Sequence, residues 1–369
     1  MGSSVVQGWV AGMDQAITIV GTASALPKHR YPQRAITAAL EGYWGDRLDK
    51  PELLARFHSR VGVAHRHLAF PLERYAQFSS WGETNTAWLK VAEQLGECAI
   101  EGALAAAGLS RRDLDAIVVV SITGIASPSL DARLINRMGL RRDMRRTPIF
   151  GVGCVGGALG LSRAADYVRA YPEHNAVLLA VEACSLTIQR DDLSTANLIA
   201  SGLFGDGAGA AIVAGSCSEA RHAVPRNAGQ ATPQILASES AFYPDSEDVM
   251  GWDVSERGFK IVLSPRLGEF IRARLRRDID EFLGRHGLRR GEIGSCVIHT
   301  GGPKVLEAVQ DSLELPDQAL DRSWECLKRV GNLSSPSVLL VLEDTMTGAP
   351  PAPGTIACCW RWAPASVLK

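Results

Sequence analysis

Residues 148–213 read PIFGVGCVGGALGLSRAADYVRAYPEHNAVLLAVEACSLTIQR and then DDLSTANLIASGLFGDGAGAAIV. An apolar run ends at Gly151-Val152-Gly153, Cys154 follows, and Gly156-Gly157 lead into an amphipathic run from Ala158 to Ala170. The pattern predicts a strand, a tight turn and a helix, with a thiol at the turn. Glycines on both sides allow a sharp bend and the approach of a substrate. A cysteine at a helix N-terminus meets the positive end of the helix dipole, which favours the thiolate. Most cysteines are small buried hydrophobes, so the nucleophile reading needs partners from elsewhere in the chain.

Outward from this stretch, Ala176–Val181 is continuously apolar, as in a central strand covered on both faces. Asp191–Leu203 reads as a helix, and Phe204-Gly-Asp-Gly207 as a turn into a strand over Ala208–Val213. Upstream, strands are expected at Ala16–Ala23 and Ala116–Val120. Helices are expected at Ile36–Leu40, Glu52–Val61, Ser129–Met138 and within Trp81–Gly108, where Ala92, Leu95, Ala99, Ala103 and Leu104 recur near helical spacing. Downstream, a Gly-, Ser-, Pro- and Arg-rich stretch, Gly215–Gly229, marks a boundary. Beyond it the scheme repeats: helices at Phe270–Gly287, Gly302–Leu313 and Ser323–Val330, and strands at Ser295–His299, Val338–Glu343 and Thr355–Trp360. Alternation of strand and helix through both parts predicts an α/β architecture in related layers. Residues 1–15 form an extension, 16–215 one half and 216–369 the other.

Composition agrees with a globular protein, 46% hydrophobic and 21% charged. Lys plus Arg (39) balances Asp plus Glu (40), so no global charge recruits nucleic acid or an anionic membrane. Basic clusters at Arg141, Arg142, Arg145 and Arg146, and at Arg272, Arg274, Arg276 and Arg277, read as solvated faces. Eight cysteines are scattered without a CxxC pair, and no HExxH occurs, so no metal site is expected. Reduced thiols in apolar runs, with no signal peptide and no membrane-length apolar window, point to a cytoplasmic protein.

Two downstream residues join Cys154. His299 ends a predicted strand in CVIHTGGPK, and Asn332 lies in VGNLSSPSV, before what reads as a further apolar strand. An imidazolium can stabilise a thiolate, and two donors can cradle a developing oxyanion. Alone, His299 also reads as a strand-end cap, and Asn332 reads better as a simple Gly-Asn turn.

GCVGGALGLSRAADY around Cys154, LFGDGAGAAIV around Phe204, IHTGGPKVLEAV around His299 and GNLSSPSVLLVLED around Asn332 together resemble the signature blocks of type III polyketide synthases. This is the chalcone-synthase superfamily, with the thiolase fold. The resemblance runs in order over about residues 16–345. It implies a homodimer of layered αβαβα subunits acting on acyl-CoA and malonyl-CoA as substrates, without metal or redox cofactor. Cys154 would take the starter acyl group, His299 and Asn332 would hold the thioester carbonyl and the enolate, and Phe204 would orient malonyl for loss of CO2. Thr187 and Ser334 match cavity residues, Arg56 and Arg60 match basic residues near CoA, and the Ser127–Pro128 bond is expected to be cis.

The chain also departs from the pattern. Ile122 stands where chalcone synthases have a cavity threonine, and Ile261, or Phe259, stands near a second gatekeeping phenylalanine. The aliphatic Ile122 suggests a fatty acyl starter, hence alkylpyrone or alkylresorcinol products. The alternatives are a malonyl-only or aromatic-starter synthase of naphthol or chalcone type, a single-condensation ketoacyl synthase, or a non-catalytic partner subunit. The family's GFGPG loop and following strand are replaced by CCWRWAPASVLK, in which only Pro364 matches, so a remodelled end is expected.

Overall fold

The computed structural model describes residues 16–48, 50, 52–222, 232–348, 350–360 and 365–368. The expected extension, residues 1–15, and Pro364 lie outside them. In chain order the first half comprises β1 (Ile17–Ala25), β2 (His29–Pro32), α1 (Gln33–Trp44), α2 (Glu52–Arg60), β3 (His65–Leu68) and α3 (Leu72–Tyr75). Then come α4 (Trp81–Ala107), β4 (Ala116–Val120), α5 (Leu130–Met138), β5 (Arg145–Ile149), α6 (Gly156–Ala170), β6 (Asn175–Ala183), α7 (Thr195–Leu203) and β7 (Asp206–Ala214). The second half begins with β8 (Gln234–Glu239), β9 (Met250–Ser255), β10 (Gly258–Leu263), α8 (Leu267–Arg285), β11 (Ile293–Ile298) and α9 (Pro303–Leu313). It closes with α10 (Asp321–Val330), α11 (Ser337–Thr347), β12 (Ile356–Trp360) and β13 (Ala365–Leu368).

Nine strands form one curled mixed sheet in the order β11-β12-β13-β8-β1-β7-β6-β4-β5. β6 and β7 pair antiparallel, while β4 runs parallel to both β5 and β6. Every residue of β4, β6 and β7 is buried, as continuous apolar runs require when both faces are covered. On one face α4 and α5 pack against these strands. On the other, Leu161, Ala164 and Val168 of α6 share a core with Val338–Leu342 of α11. A third core joins α8, α9 and β11. These are the helix and sheet layers expected of the thiolase-like α/β fold.

Helix limits follow local chemistry. The Ser80 side chain accepts from the Glu83 N–H to open α4, and Gly108 closes it with φ +71°. The basic clusters are paired or stacked, as solvated faces should be: Arg141 with Asp115 and Asp143, Arg146 with Asp131, and Arg274 over the Phe270 ring. Among the described residues no helix is long and apolar enough to cross a membrane.

Two expectations are corrected. Val338–Glu343 is not a strand but the middle of α11, and Asn332 therefore precedes a helix. The five apolar residues Val338–Leu342 fit either element; here they form the first half of the helix, buried between the layers. The C-terminal strand expected to be missing is present. β13 pairs antiparallel with both β12 and β8, satisfying both edges from only four residues.

Candidate active site

Gly151 (φ +82°) and Gly153 (φ +63°) make the bend that ends the β5 segment. Cys154, only 4% exposed, then sits in a short 3-10 turn that runs directly into α6 at Gly156. Gly156 and Gly157 serve packing rather than substrate approach. A Cβ on Gly156 would strike Val120, and one on Gly157 would strike the Ser335 carbonyl and Val338. Overpacking of this kind costs about 1–3 kcal/mol. The nucleophile turn is thereby pressed against the segment that follows Asn332.

Asn332 is fully buried. Its N–H donates to the Leu203 carbonyl (2.9 Å) and its carbonyl accepts from the Gly205 N–H (3.0 Å), a bridge that fixes it beside Phe204. Its Oδ1 accepts from the Ser334 N–H at 2.7 Å and from the Ser337 hydroxyl at 3.5 Å. That network sets the amide's orientation, and Nδ2, buried, has no hydrogen-bond partner. Ser334, buried with φ +61°, holds a strained backbone of the kind found at functional turns, and its Oγ is also without a partner.

His299 is 2% exposed and directly follows β11. The Ser323 hydroxyl donates to the Ile298 carbonyl (2.7 Å) and the Gly301 N–H to the His299 carbonyl (2.9 Å), fixing the turn. Cys154, Phe204 and Ile298 belong to one apolar cluster. Phe204 also lines a cleft of about 550 Å³, with Ile199, Leu203, Gly301 and Gly302 along its walls and Arg60 and Lys304 among its cations. Arg56, one turn before Arg60, is exposed and is not among the residues lining this cleft.

Thr187 and Phe259 line a different hollow, of about 740 Å³, together with Thr123. The Thr187 hydroxyl donates to the Cys184 carbonyl. Ile261 packs half-buried against the cluster that holds Phe204. Ile122 is buried, and its N–H donates to the Glu182 carboxylate. The Ser127–Pro128 bond is cis.

Residues 80–217 match the family model for the N-terminal domain of chalcone and stilbene synthases, and residues 234–349 match the model for the C-terminal domain. A 1,3,6,8-tetrahydroxynaphthalene synthase of Streptomyces peucetius subsp. caesius is 48% identical over 93% of this chain and 89% of its own length. The chain belongs to the chalcone and stilbene synthase family. A putative chalcone synthase of Bacillus subtilis is 34% identical over 80% of this chain and 81% of its own. The crystal structure of the Streptomyces coelicolor tetrahydroxynaphthalene synthase, a bacterial type III polyketide synthase, superposes with TM-score 0.84 at 28% identity, covering 95% of this chain and 98% of that one. The protein is a type III polyketide synthase and so an acyltransferase.

In this synthase the structure adds groups that the sequence reading passed over. Glu182 is fully buried and accepts from the Ser121, Thr123 and Ser335 hydroxyls and from the Ile122 and Thr123 N–H groups. Burial pushes its carboxyl up to about 7 despite these donors. The signal was available: Glu182 is the one charge in the otherwise apolar run Ala176–Ala183. Arg66 is also buried. Its Nη1 donates to the Phe204 carbonyl at 2.7 Å and its Nε to Gln33 at 3.1 Å. Asp206, pushed up to about 6 by burial, accepts from the Ser185 and Ala69 N–H groups beside it. These residues hold the site rather than face the cleft.

Proposed function

We propose that this synthase builds a hydroxylated naphthalene from malonyl-CoA alone, with Cys154 carrying the growing chain. The observation that carries the reading is the 48% identity, over 93% of the chain, to a tetrahydroxynaphthalene synthase. The fatty acyl starter expected from the sequence rests on one residue, Ile122, set against a likeness that runs nearly end to end. CoA thioesters are the substrates, and the reading needs no cofactor.

Each step has a residue of suitable chemistry. The Cys154 thiolate attacks the starter thioester carbonyl and expels CoA thiolate. A second malonyl-CoA loses CO2, and the electron pair left behind becomes an enolate. The buried Nδ2 of Asn332 and the His299 imidazole supply the donors for its oxygen, where low dielectric strengthens them. The Phe204 ring gives the departing carboxylate an apolar neighbour, which favours its loss as neutral CO2. The enolate carbon then attacks the acyl-Cys154 carbonyl, a carbon–carbon bond forms, and the thiolate leaves ready for the next round. Arg60 and Lys304 at the 550 Å³ cleft suit the CoA phosphates.

Pairing of two copies belongs to the same reading. Ile125, just before the cis bond, and Phe150, after β5, are apolar yet 50% and 48% exposed.

The test is product mass after incubation with labelled malonyl-CoA, alone and with a ladder of acyl-CoA starters. Malonyl-CoA alone should give a label-bearing aromatic product. Products that form only when a long acyl-CoA is present, and that carry its chain, would restore the alkylpyrone reading and reject this one.

A further inference from the structure

A second cleft, of about 420 Å³, opens between α1, the end of β3, the segment after α3 and the segment after β6. It shares no lining residue with the 550 Å³ cleft, although it adjoins the hollow that holds Thr187. Its walls are apolar, with Leu40, Trp44, Leu72, Phe78 and Leu186 among them. One lining residue is of a different kind. Arg66 is 1% exposed, and while Nε and Nη1 are taken by Gln33 and Phe204, its Nη2 is buried without a hydrogen-bond partner.

A guanidinium has five N–H donors and accepts nothing. A buried donor left without a partner is costly, the more so when charged, so this arrangement calls for an acceptor. Other charged groups flank it. The Asp206 carboxyl acts on Arg66 electrostatically. Within the cleft Glu73 is exposed, and Arg190 is tied to the Tyr75 carbonyl. Among the described residues lining the cleft, only Arg66 offers an unused buried donor, and the walls are mostly apolar. An apolar pocket with one convergent polar group is the usual form of a small-molecule site.

We propose that this cleft binds an amphipathic carboxylate, with its head on Arg66 Nη2 and its apolar body along Leu40, Trp44 and Leu72. The proposal does not rest on which polyketide the enzyme makes. Sodium decanoate is the probe, titrated below its micellar concentration into the full-length chain by isothermal calorimetry, with decanol and acetate as controls. Saturable one-site binding is expected, at least tenfold tighter than for either control, because both the charge and the chain contribute. Ala39→Trp and Ala76→Trp each fill the cleft from a different wall and should abolish binding in protein that keeps its native circular dichroism. Arg66→Met should erase the preference for decanoate over decanol. Ala196→Trp, which fills the 550 Å³ cleft instead, should leave decanoate binding unchanged. The proposal is overturned by an absence of saturable heat or by decanol binding as tightly as decanoate. Persistence of binding in both folded cleft-filling variants, or its loss in Ala196→Trp, would equally defeat it.

Discussion

Two polar regions lie buried on either side of Ser335, and they are built to opposite rules. On one side Glu182 takes donors from Ser121, Ile122, Thr123 and Ser335, tying the loop after β4 to the turn before α11. On the other, Asn332 has its backbone and Oδ1 bonded while Nδ2 is left over. A satisfied buried network holds structure, whereas a buried donor held rigid but unused lowers stability and is available to a reacting oxygen. The first region should respond to substitution in stability, and the second in rate.

The largest effects should come from the second region. Cys154→Ala should reduce polyketide formation by roughly three orders of magnitude or more, because no carrier for the acyl chain is left. Malonyl-CoA decarboxylation, which needs the enolate donors but not the sulfur, should persist. Asn332→Ala should lower decarboxylation itself by about 100- to 1,000-fold, the usual loss for one oxyanion donor. Release of labelled CO2 and product mass, measured on the same samples, separate the two. If Cys154→Ala still elongates, or Asn332→Ala decarboxylates normally, the division between the two regions fails.

Glu182→Gln tests the first region through pH. The folded carboxyl is raised from an ordinary 4.5 to about 7, so the folded protein holds this proton more tightly than the unfolded chain. Stability from this group is therefore full below about 4.5, falls as pH rises toward about 7, and is level above that. At about 1.4 kcal/mol per pH unit the fall is about 3 kcal/mol. His58, lowered to about 4 chiefly by burial, works in the opposite direction over part of the range, but it does so in both proteins. The difference in urea-unfolding free energy between wild type and Glu182→Gln should thus shift against the wild type by that amount from pH 4.5 to pH 7.5. A difference that stays flat with pH would show that the carboxyl is not held as described.

The sequence disclosed the second region far better than the first. Cys154, His299, Asn332 and Phe204 stand in glycine-marked turns with a characteristic order, so residue type and motif found them without geometry. Glu182 and Arg66 act through contacts between segments more than 50 residues apart, Glu182 with Ser335 and Arg66 with Phe204, and no local pattern encodes such pairs. Period ambiguity explains α11, whose first half, Val338–Leu342, is buried between two layers and lacks the polar face that identifies most helices. The short edges β2, β3, β9 and β10 lack the continuous apolar run that made β4, β6 and β7 legible. Thr187 and Phe259 line one hollow, and Ile261 packs instead against the cluster that holds Phe204, a division between segments that no local pattern encodes.

The smallest predicted effect separates two arginines that sequence spacing treats alike. Arg56 and Arg60 are one helical turn apart on α2 and both exposed, yet of the two only Arg60 lines the cleft that Phe204 also lines. A phosphate contact at an exposed site is worth about 1 kcal/mol at most, since water and salt screen it. Arg60→Ala should therefore raise KM for malonyl-CoA by about fivefold with kcat unchanged, and added salt should shrink the gap. Arg56→Ala should leave both constants as they are. Equal KM increases in the two variants would mean that helix-wide charge, rather than the cleft, attracts the thioester, and the CoA would then have to lie along the face of α2.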